Sequence, residues 1–393
     1  MRVTMLNKYY PPHLGGIEYH LRDLATALAE RSDCEVRAIV ANEGPATVTE
    51  TIDGVEVTRL RRAFAYASTP VVSGMTRVIS AEAARPDPPD VMHLHFPYPW
   101  GEVSWLRAQT RERSAESSSR ARIPAVLTYH SDIVRQKAML ALYEPLLHRV
   151  LDRVNLVIAS SPNMVEHSPY LARVAEKCRV VPFGIHTERF AATSERSARA
   201  AALRARYAPS RGERPVVLFV GRLIYYKGAD VLVRAMEHVD ADLVMVGRGP
   251  LHAELEALAS ASGIAERVRF FDPVDDEDLA AWYHAADVFC LPSVARSEAF
   301  GLVQLEAHAA GTPVVSTALT TGVPFVNQDG VTGLVVSPGD VRALAEALDT
   351  LVRNDALRER LGRQARERAV AEFSIPRMVE RTLGVYHEAR GGA

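Results

Sequence analysis

The sequence predicts an α/β fold of two Rossmann-like, doubly wound domains facing each other across a cleft. Three observations lead there. The chain has 393 residues, too many for one ordinary core and enough for two domains of roughly 150–200 residues. Short Val/Ile/Leu runs alternate with helix-period stretches along almost its whole length, the pattern of parallel strands covered on both faces. Each half also opens alike, as strand, glycine-containing loop and helix: Leu6 leads into Gly15-Gly16-Ile17-Glu18, and Val220 into Gly221-Arg222 and then Lys227-Gly228.

In chain order, the first half offers strands at Val3–Leu6, Val36–Val40, Val55–Leu60, Val91–His95, Ala125–Tyr129, Leu156–Ala159 and Arg179–Val181. The second offers Val216–Val220, Leu243–Val246, Val268–Phe271, Val288–Leu291, Pro313–Ser316 and Gly333–Val336. Amphipathic segments at Glu18–Glu30, Ala229–His238, Ala253–Ser262 and Val341–Val352 read as helices between them. A break follows Pro182-Phe183-Gly184-Ile185-His186, then a polar helical stretch to Arg206 and a turn-rich run to Pro215. We therefore expect one domain over residues 1–186 and a second over 187–375, with a closing segment at 376–393. The serine-rich stretch Ser114–Ser119 reads as a mobile surface loop.

Composition narrows the class. With 48% hydrophobic and 24% charged residues the chain reads as a globular protein, and no stretch approaches the ~20 apolar residues of a membrane span. Residues 1–6 run straight into a strand, without the apolar region of a signal peptide, so a cytoplasmic location is expected. A net charge of −2 argues against nucleic-acid binding through a broad basic field. The first half is nevertheless locally basic at Arg59, Arg61 and Arg62 and from Arg107 to Arg122, which suits peripheral contact with the inner face of a membrane or an acidic acceptor. Cys34, Cys178 and Cys290 lie far apart among apolar residues and read as buried structural thiols.

The most informative stretch is Ser297-Glu298-Ala299-Phe300-Gly301-Leu302-Val303-Gln304-Leu305-Glu306, two carboxylates flanking a glycine and a helix start. At roughly 1.5 Å of rise per residue the carboxylates are on the order of 10–12 Å apart, the reach of a sugar nucleotide. Glu306 would accept hydrogen bonds from ribose and Glu298 from a transferred sugar. The amides of Gly301, Leu302 and Val303 would face the diphosphate between them. Arg222 and Lys227, in one loop with Gly221 and Gly228, supply a planar fork and a point charge for the same diphosphate. Gly15-Gly16 ahead of a helix permits close approach to a phosphate. His130 ends a strand and points where open α/β sheets bind ligands. His93 and His95 share one side of a strand, and with no Asp or Cys at ligand spacing no zinc site is expected there.

Gly221-Arg222-Leu223…Lys227-Gly228, Ser297-Glu298…Glu306-Ala307, Gly311-Thr312-Pro313-Val314-Val315 and the early Gly15-Gly16-Ile17-Glu18 together resemble the retaining glycosyltransferases of family 4. Agreement runs from about residue 5 to residue 375. Tyr129-His130-Ser131-Asp132 and Gly322-Val323-Pro324…Asn327 look like the mannosyl- and related transferases of bacterial surface polysaccharides.

The resemblance implies the GT-B fold, with an acceptor-side first domain, a nucleotide-sugar-binding second domain and a last helix beyond Pro376 that crosses back onto the first. It implies a nucleoside diphosphate sugar as donor, held by Gly16, Arg222, Lys227, Glu298, Phe300, Gly301, Leu302, Val303 and Glu306. His130, Glu298, Arg222 and Lys227 would act at the reaction centre. A glycan or lipid-linked acceptor is implied, with no cofactor and no metal. Asp272 departs from the small residue usual in the loop near the base, and this leaves base identity open. The resulting expectation is hexosyl transfer with retention, by front-face attack, in glycan or glycolipid synthesis. A nucleotide-sugar epimerase of the same architecture and a non-catalytic nucleotide-sugar-binding scaffold are the alternatives. If Glu298 touches sugar alone, its loss leaves binding of the free nucleoside diphosphate nearly unchanged.

Overall fold

The computed structural model describes residues 1–391 except 14, 67–68, 115–121, 133–136, 211–212 and 273. The expected serine-rich loop therefore lies almost wholly outside the described residues. The chain divides into two compact units, one of Met1–Phe183 with Ile375–Ala393 and the other of Gly184–Ser374.

In the first unit the strands are β1 Arg2–Leu6, β2 Glu35–Ala41, β3 Val48–Ile52, β4 Val55–Leu60, β5 Arg62–Tyr66, β6 Thr69–Val72, β7 Val91–Phe96, β8 Ala125–Tyr129, β9 Leu156–Ala159 and β10 Cys178–Val180. Eight of them form one sheet in the order β10-β9-β8-β7-β1-β2-β4-β3, and β5 pairs with β6 in a separate ribbon. Every pairing in the large sheet is parallel except β3 with β4. Val3 and Met5 of β1 sit in the same core as Leu21, Leu24 and Leu28 of the helix Gly16–Ala29. The last helix, Ile375–Gly391, adds Met378, Val379, Val385 and Tyr386 to that core. Arg179 grips Glu388 with two guanidinium nitrogens, and Arg390 reaches Asp90 at 3.4 Å.

The second unit holds β11 Val216–Val220, β12 Asp242–Val246, β13 Val268–Phe271, β14 Val288–Leu291, β15 Val314–Thr317 and β16 Gly333–Val336, all parallel in the order β13-β12-β11-β14-β15-β16. The twofold pleat divides each strand between two cores. Val217 and Phe219 pack on one face, and Val216, Leu218 and Val220 on the other. Such double burial is why these strands read as unbroken apolar runs.

Three strands, β3, β5 and β6, are not among those the sequence offers. β3 lies at the sheet edge with four of its five residues exposed, so Val48-Thr49-Glu50-Thr51-Ile52 carries no apolar run. The turn before β4 is Asp53-Gly54, both with positive φ (48° and 80°), a hairpin signal in the sequence. β5 and β6 pair antiparallel with an irregular register between Arg62 and Phe64. Cys290 is buried as expected, whereas Cys34 and Cys178 are only partly buried because both stand at strand or loop ends rather than inside a layer. Among the described residues no helix is long and apolar enough to cross a membrane.

Candidate active site

The candidate groups of the second unit gather beyond the carboxyl ends of β11 and β14. Val220 is followed by Gly221 (φ 152°), then exposed Arg222 and a short 3-10 turn, Tyr225–Lys227, closed by Gly228 (φ 65°). A Cβ on Gly228 would stand 2.0 Å from the carbonyl oxygen of Pro292, so only glycine lets this turn lie against the loop after β14. That approach sets Lys227 Nζ 2.6 Å from Glu298 Oε2, with both side chains largely buried, and Ser293 donates to the same oxygen at 3.0 Å. Lysine and the first glutamate, expected at neighbouring parts of one ligand, are thus direct partners. Arg222 makes no hydrogen bond or ion pair with a described side chain and extends toward solvent.

Gly301 (φ 74°) caps the helix Leu302–Ala310. Its first amides lack intrahelical acceptors, as at any helix start. Gln304 donates to the carbonyls of Phe300 and Val323 and pins the turn from below. One turn further on, Glu306 receives the Tyr283 hydroxyl at 2.6 Å. Burial pushes the Glu306 carboxyl up to about 7, against the opposing effect of that hydrogen bond; Asp276 adds to the rise, and Arg189 and Lys227 counter it. Ser293 and Tyr283, which hold the two glutamates, went unnoticed in the sequence because neither stands within a motif. Asp272, near the expected base loop, pairs with Arg248 at 3.1 Å.

Within the first unit the candidate residues are Gly16 and His130. Gly15 takes extended geometry at the helix N-cap, and Glu18 folds back toward it; a Cβ on Gly16 would meet nothing within 4 Å, so its backbone faces open space. His130 follows β8 and is nearly fully buried, its amide bonded to the Phe96 carbonyl. Its Nε2 lies 3.0 Å from His95 Nδ1, and its ring meets His20 edge-on at 5.1 Å and Phe183 at 5.2 Å. Burial, reinforced by the neighbouring imidazoles, holds His130 and His95 well below the usual histidine range; burial alone brings His20 to about 4 against a weak pull from Asp23. His20, His95 and His130 bring one ring nitrogen each within 4.8 Å of the others, a grouping hidden in the sequence because it spans three elements. His95 Nε2, turned away from His130, has no partner among the described residues, whereas a metal-ligating imidazole ordinarily anchors its second nitrogen.

Other expectations meet competing contacts. Arg59 is used internally, bonded to Glu50 and to the carbonyls of Tyr10 and Pro11; Arg122 bonds Gln109 and the Arg153 carbonyl. Tyr98 and Trp105 are wholly buried and Trp100 donates to the Val72 carbonyl, so these aromatics build the first unit.

Comparison with known proteins identifies the family and the fold. Residues 14–189 match the model of glycosyltransferase family 4, and residues 205–368 that of glycosyl transferases group 1. Over 389 residues the chain is 33% identical to O-antigen chain mannosyltransferase C of Escherichia coli, covering 98% of each. The chain belongs to the family 4 glycosyltransferases. A second relative of this glycosyltransferase is the D-rhamnosyltransferase WbpZ of Pseudomonas aeruginosa, 34% identical over 94% of the chain and 91% of that protein. Sucrose-phosphate synthase from Thermosynechococcus elongatus superposes over the whole of both chains with a TM-score of 0.78 at 25% identity, and the fold is GT-B. The transferase thus has the fold and enzyme class that its sequence implied.

Proposed function

We propose that this glycosyltransferase moves a hexosyl group, mannosyl or a close relative, from a nucleoside diphosphate sugar to a hydroxyl of a glycan or lipid-linked acceptor, with retention at the anomeric carbon. The observation that carries the reading is the Lys227–Glu298 contact at 2.6 Å, beside a helix start and in a loop that glycine alone permits. A cation suited to phosphate and a carboxylate suited to sugar hydroxyls thereby stand side by side. In this reading Arg222, Lys227 and the amides of Gly16 and Gly301 to Val303 hold the diphosphate, with protein groups in the place of a divalent ion. Glu306 accepts from ribose, Glu298 from the transferred sugar, and His130 is assigned to that sugar.

The chemistry follows from charge. As the glycosidic bond breaks, negative charge grows on the leaving diphosphate, where fixed cations and helix amides lower the barrier most. The acceptor hydroxyl attacks from the same face and passes its proton to the departing phosphate oxygen. His130, held neutral, then serves as a hydrogen-bonding group. The choice of mannosyl or a close relative rests on the mannosyltransferase of Escherichia coli and the D-rhamnosyltransferase of Pseudomonas aeruginosa. Peripheral membrane contact, also proposed, rests on exposed Phe64 near exposed Arg61, since Arg59, Arg62 and Arg122 are otherwise occupied.

The test combines a thermal-shift panel of UDP, GDP, ADP and their sugars with product analysis. A ligand at 100 times its Kd raises stability by about 2.7 kcal/mol, well within detection. Acceptor-dependent release of nucleoside diphosphate, with retained configuration in the product, is expected. Acceptor-independent conversion of the donor, or binding without turnover, refutes the reading.

A further inference from the structure

The histidines of the first unit form a buried relay whose hydrogens can be placed. His93 uses both ring nitrogens, Nδ1 with the Tyr386 hydroxyl and Nε2 with the Thr128 hydroxyl, each at 2.7 Å, so its ring cannot turn. His95 packs on it at 4.3 Å between centroids and, on its other side, lies nearly parallel to His130 at 5.3 Å. Nδ1 of His95 and Nε2 of His130 share one hydrogen across 3.0 Å.

Burial keeps both imidazoles neutral, and each therefore has a single N–H. Either His95 donates at Nδ1, or it accepts there and carries its hydrogen on Nε2. The second arrangement leaves a donor with no partner, because His95 Nε2 is buried and unbonded. The first leaves an unused lone pair on His95 and puts the other hydrogen on His130 Nδ1, an atom that is not among the buried unbonded ones. Buried N–H groups without acceptors are the rarer and costlier defect.

We propose that His95 is a positioning residue that donates from Nδ1 to His130 Nε2 and so fixes His130 as its Nδ1–H tautomer, a hydrogen-bond donor toward its ligand rather than a base. The catalytic consequence rests on the assignment of His130 to the transferred sugar. A donor at Nδ1 can hold a sugar oxygen but cannot accept the acceptor's proton, which leaves that proton to the diphosphate. Tyr386, in the last helix, is the far end of the relay, so this helix helps to set the orientation of His130 through His93 and His95.

The decisive measurement is long-range proton–nitrogen NMR on histidine-labelled protein, with His130→Gln used to assign the signals. In the unaltered protein His130 is expected to show a protonated Nδ1 and a bare Nε2 between pH 6 and 8. His95→Asn, whose amide can replace the Nδ1 donor, is expected to keep that state; His95→Leu is expected to lose it and to lower kcat about 10- to 100-fold, with donor KM within about threefold. A hydrogen on Nε2 of His130 in the unaltered protein overturns the proposal, and so does an unchanged tautomer in His95→Leu. Should His95→Leu not fold, the unaltered spectrum and the Asn variant still decide. The expected tautomer together with unchanged turnover in His130→Gln would sink the assignment of His130 to the sugar and leave the role of His95 standing.

Discussion

Replacing Glu298 by Gln separates two roles that this segment combines. Gln keeps the shape and a carbonyl for Ser293 and Lys227 but removes the charge now 2.6 Å from Lys227 Nζ. A phosphate oxygen bonded to Nζ at about 2.8 Å from the other side stands at most ~5.4 Å from the Glu298 carboxylate. At an effective dielectric constant of about 20, unit charges at that distance repel by roughly 3 kcal/mol. Solvent and salt around the incoming ligand reduce this to about 1–2 kcal/mol. Glu298→Gln is therefore expected to tighten binding of the free nucleoside diphosphate by about 5- to 30-fold, while kcat for transfer falls about 100-fold or more because the sugar loses its anionic partner. Isothermal titration with the diphosphate that stabilises the protein most, and initial rates with its sugar, measure the two effects. Affinity that is unchanged within twofold, or weaker, means that the diphosphate does not occupy Lys227 and refutes the reasoning.

Lys227→Ala should act in the opposite sense, weakening donor affinity by about 10- to 150-fold as a charge-assisted hydrogen bond worth about 1.5–3 kcal/mol disappears; donor titration checks this. Gly228→Ala forces a Cβ into the Pro292 carbonyl from a residue at φ 65°, so both melting temperature and diphosphate affinity should fall; retention of both would show that the turn has another way to lie. Treatment with EDTA is expected to leave transfer intact, since Arg222, Lys227 and the helix amides are assigned the phosphate charge. Loss of activity with recovery on adding manganese would contradict that assignment.

How much of this was legible in the sequence depended on where each feature is encoded. Strands buried on both faces, such as Val216–Val220, announce themselves as apolar runs. β3 does not, because an exposed edge strand has no buried face to fill. The motif residues of the second unit were legible as types at fixed spacing around β11 and β14. Their pairing was not. A motif gives the order of Lys227 and Glu298 along the chain but not the 2.6 Å contact between them, and from sequence alone Glu298 had no bearing on the free diphosphate. Arg59 misled for a related reason: a cluster of arginines looks basic until the carbonyls of Tyr10 and Pro11 are found to occupy one of them. The histidine relay lay wholly beyond spacing rules, since His20, His93, His95, His130 and Tyr386 come from four distant segments.

The second glutamate carries a pH dependence that follows from its surroundings. Burial raises the Glu306 carboxyl from 4.5 to about 7, while the Tyr283 hydroxyl, donating at 2.6 Å, favours the ionised form and limits the rise. The folded chain thus holds this proton up to about pH 7, whereas the unfolded chain releases it near 4.5. The associated loss of stability grows as pH rises through that interval and is complete above it. Binding has the opposite slope. An ionised carboxylate is a pure acceptor for ribose hydroxyls, so affinity for a nucleotide sugar should rise with pH between 6 and 8, by about tenfold, and then level off. A nucleotide sugar is the suitable probe because its phosphates, both diesterified, do not titrate there. Tyr283→Phe removes the bond that favours ionisation and should move the midpoint above that of the unaltered enzyme, and Glu306→Gln should flatten the profile at lower affinity. A flat profile in the unaltered enzyme, or a midpoint that moves down in Tyr283→Phe, would show that Glu306 does not meet the ligand as a carboxylate.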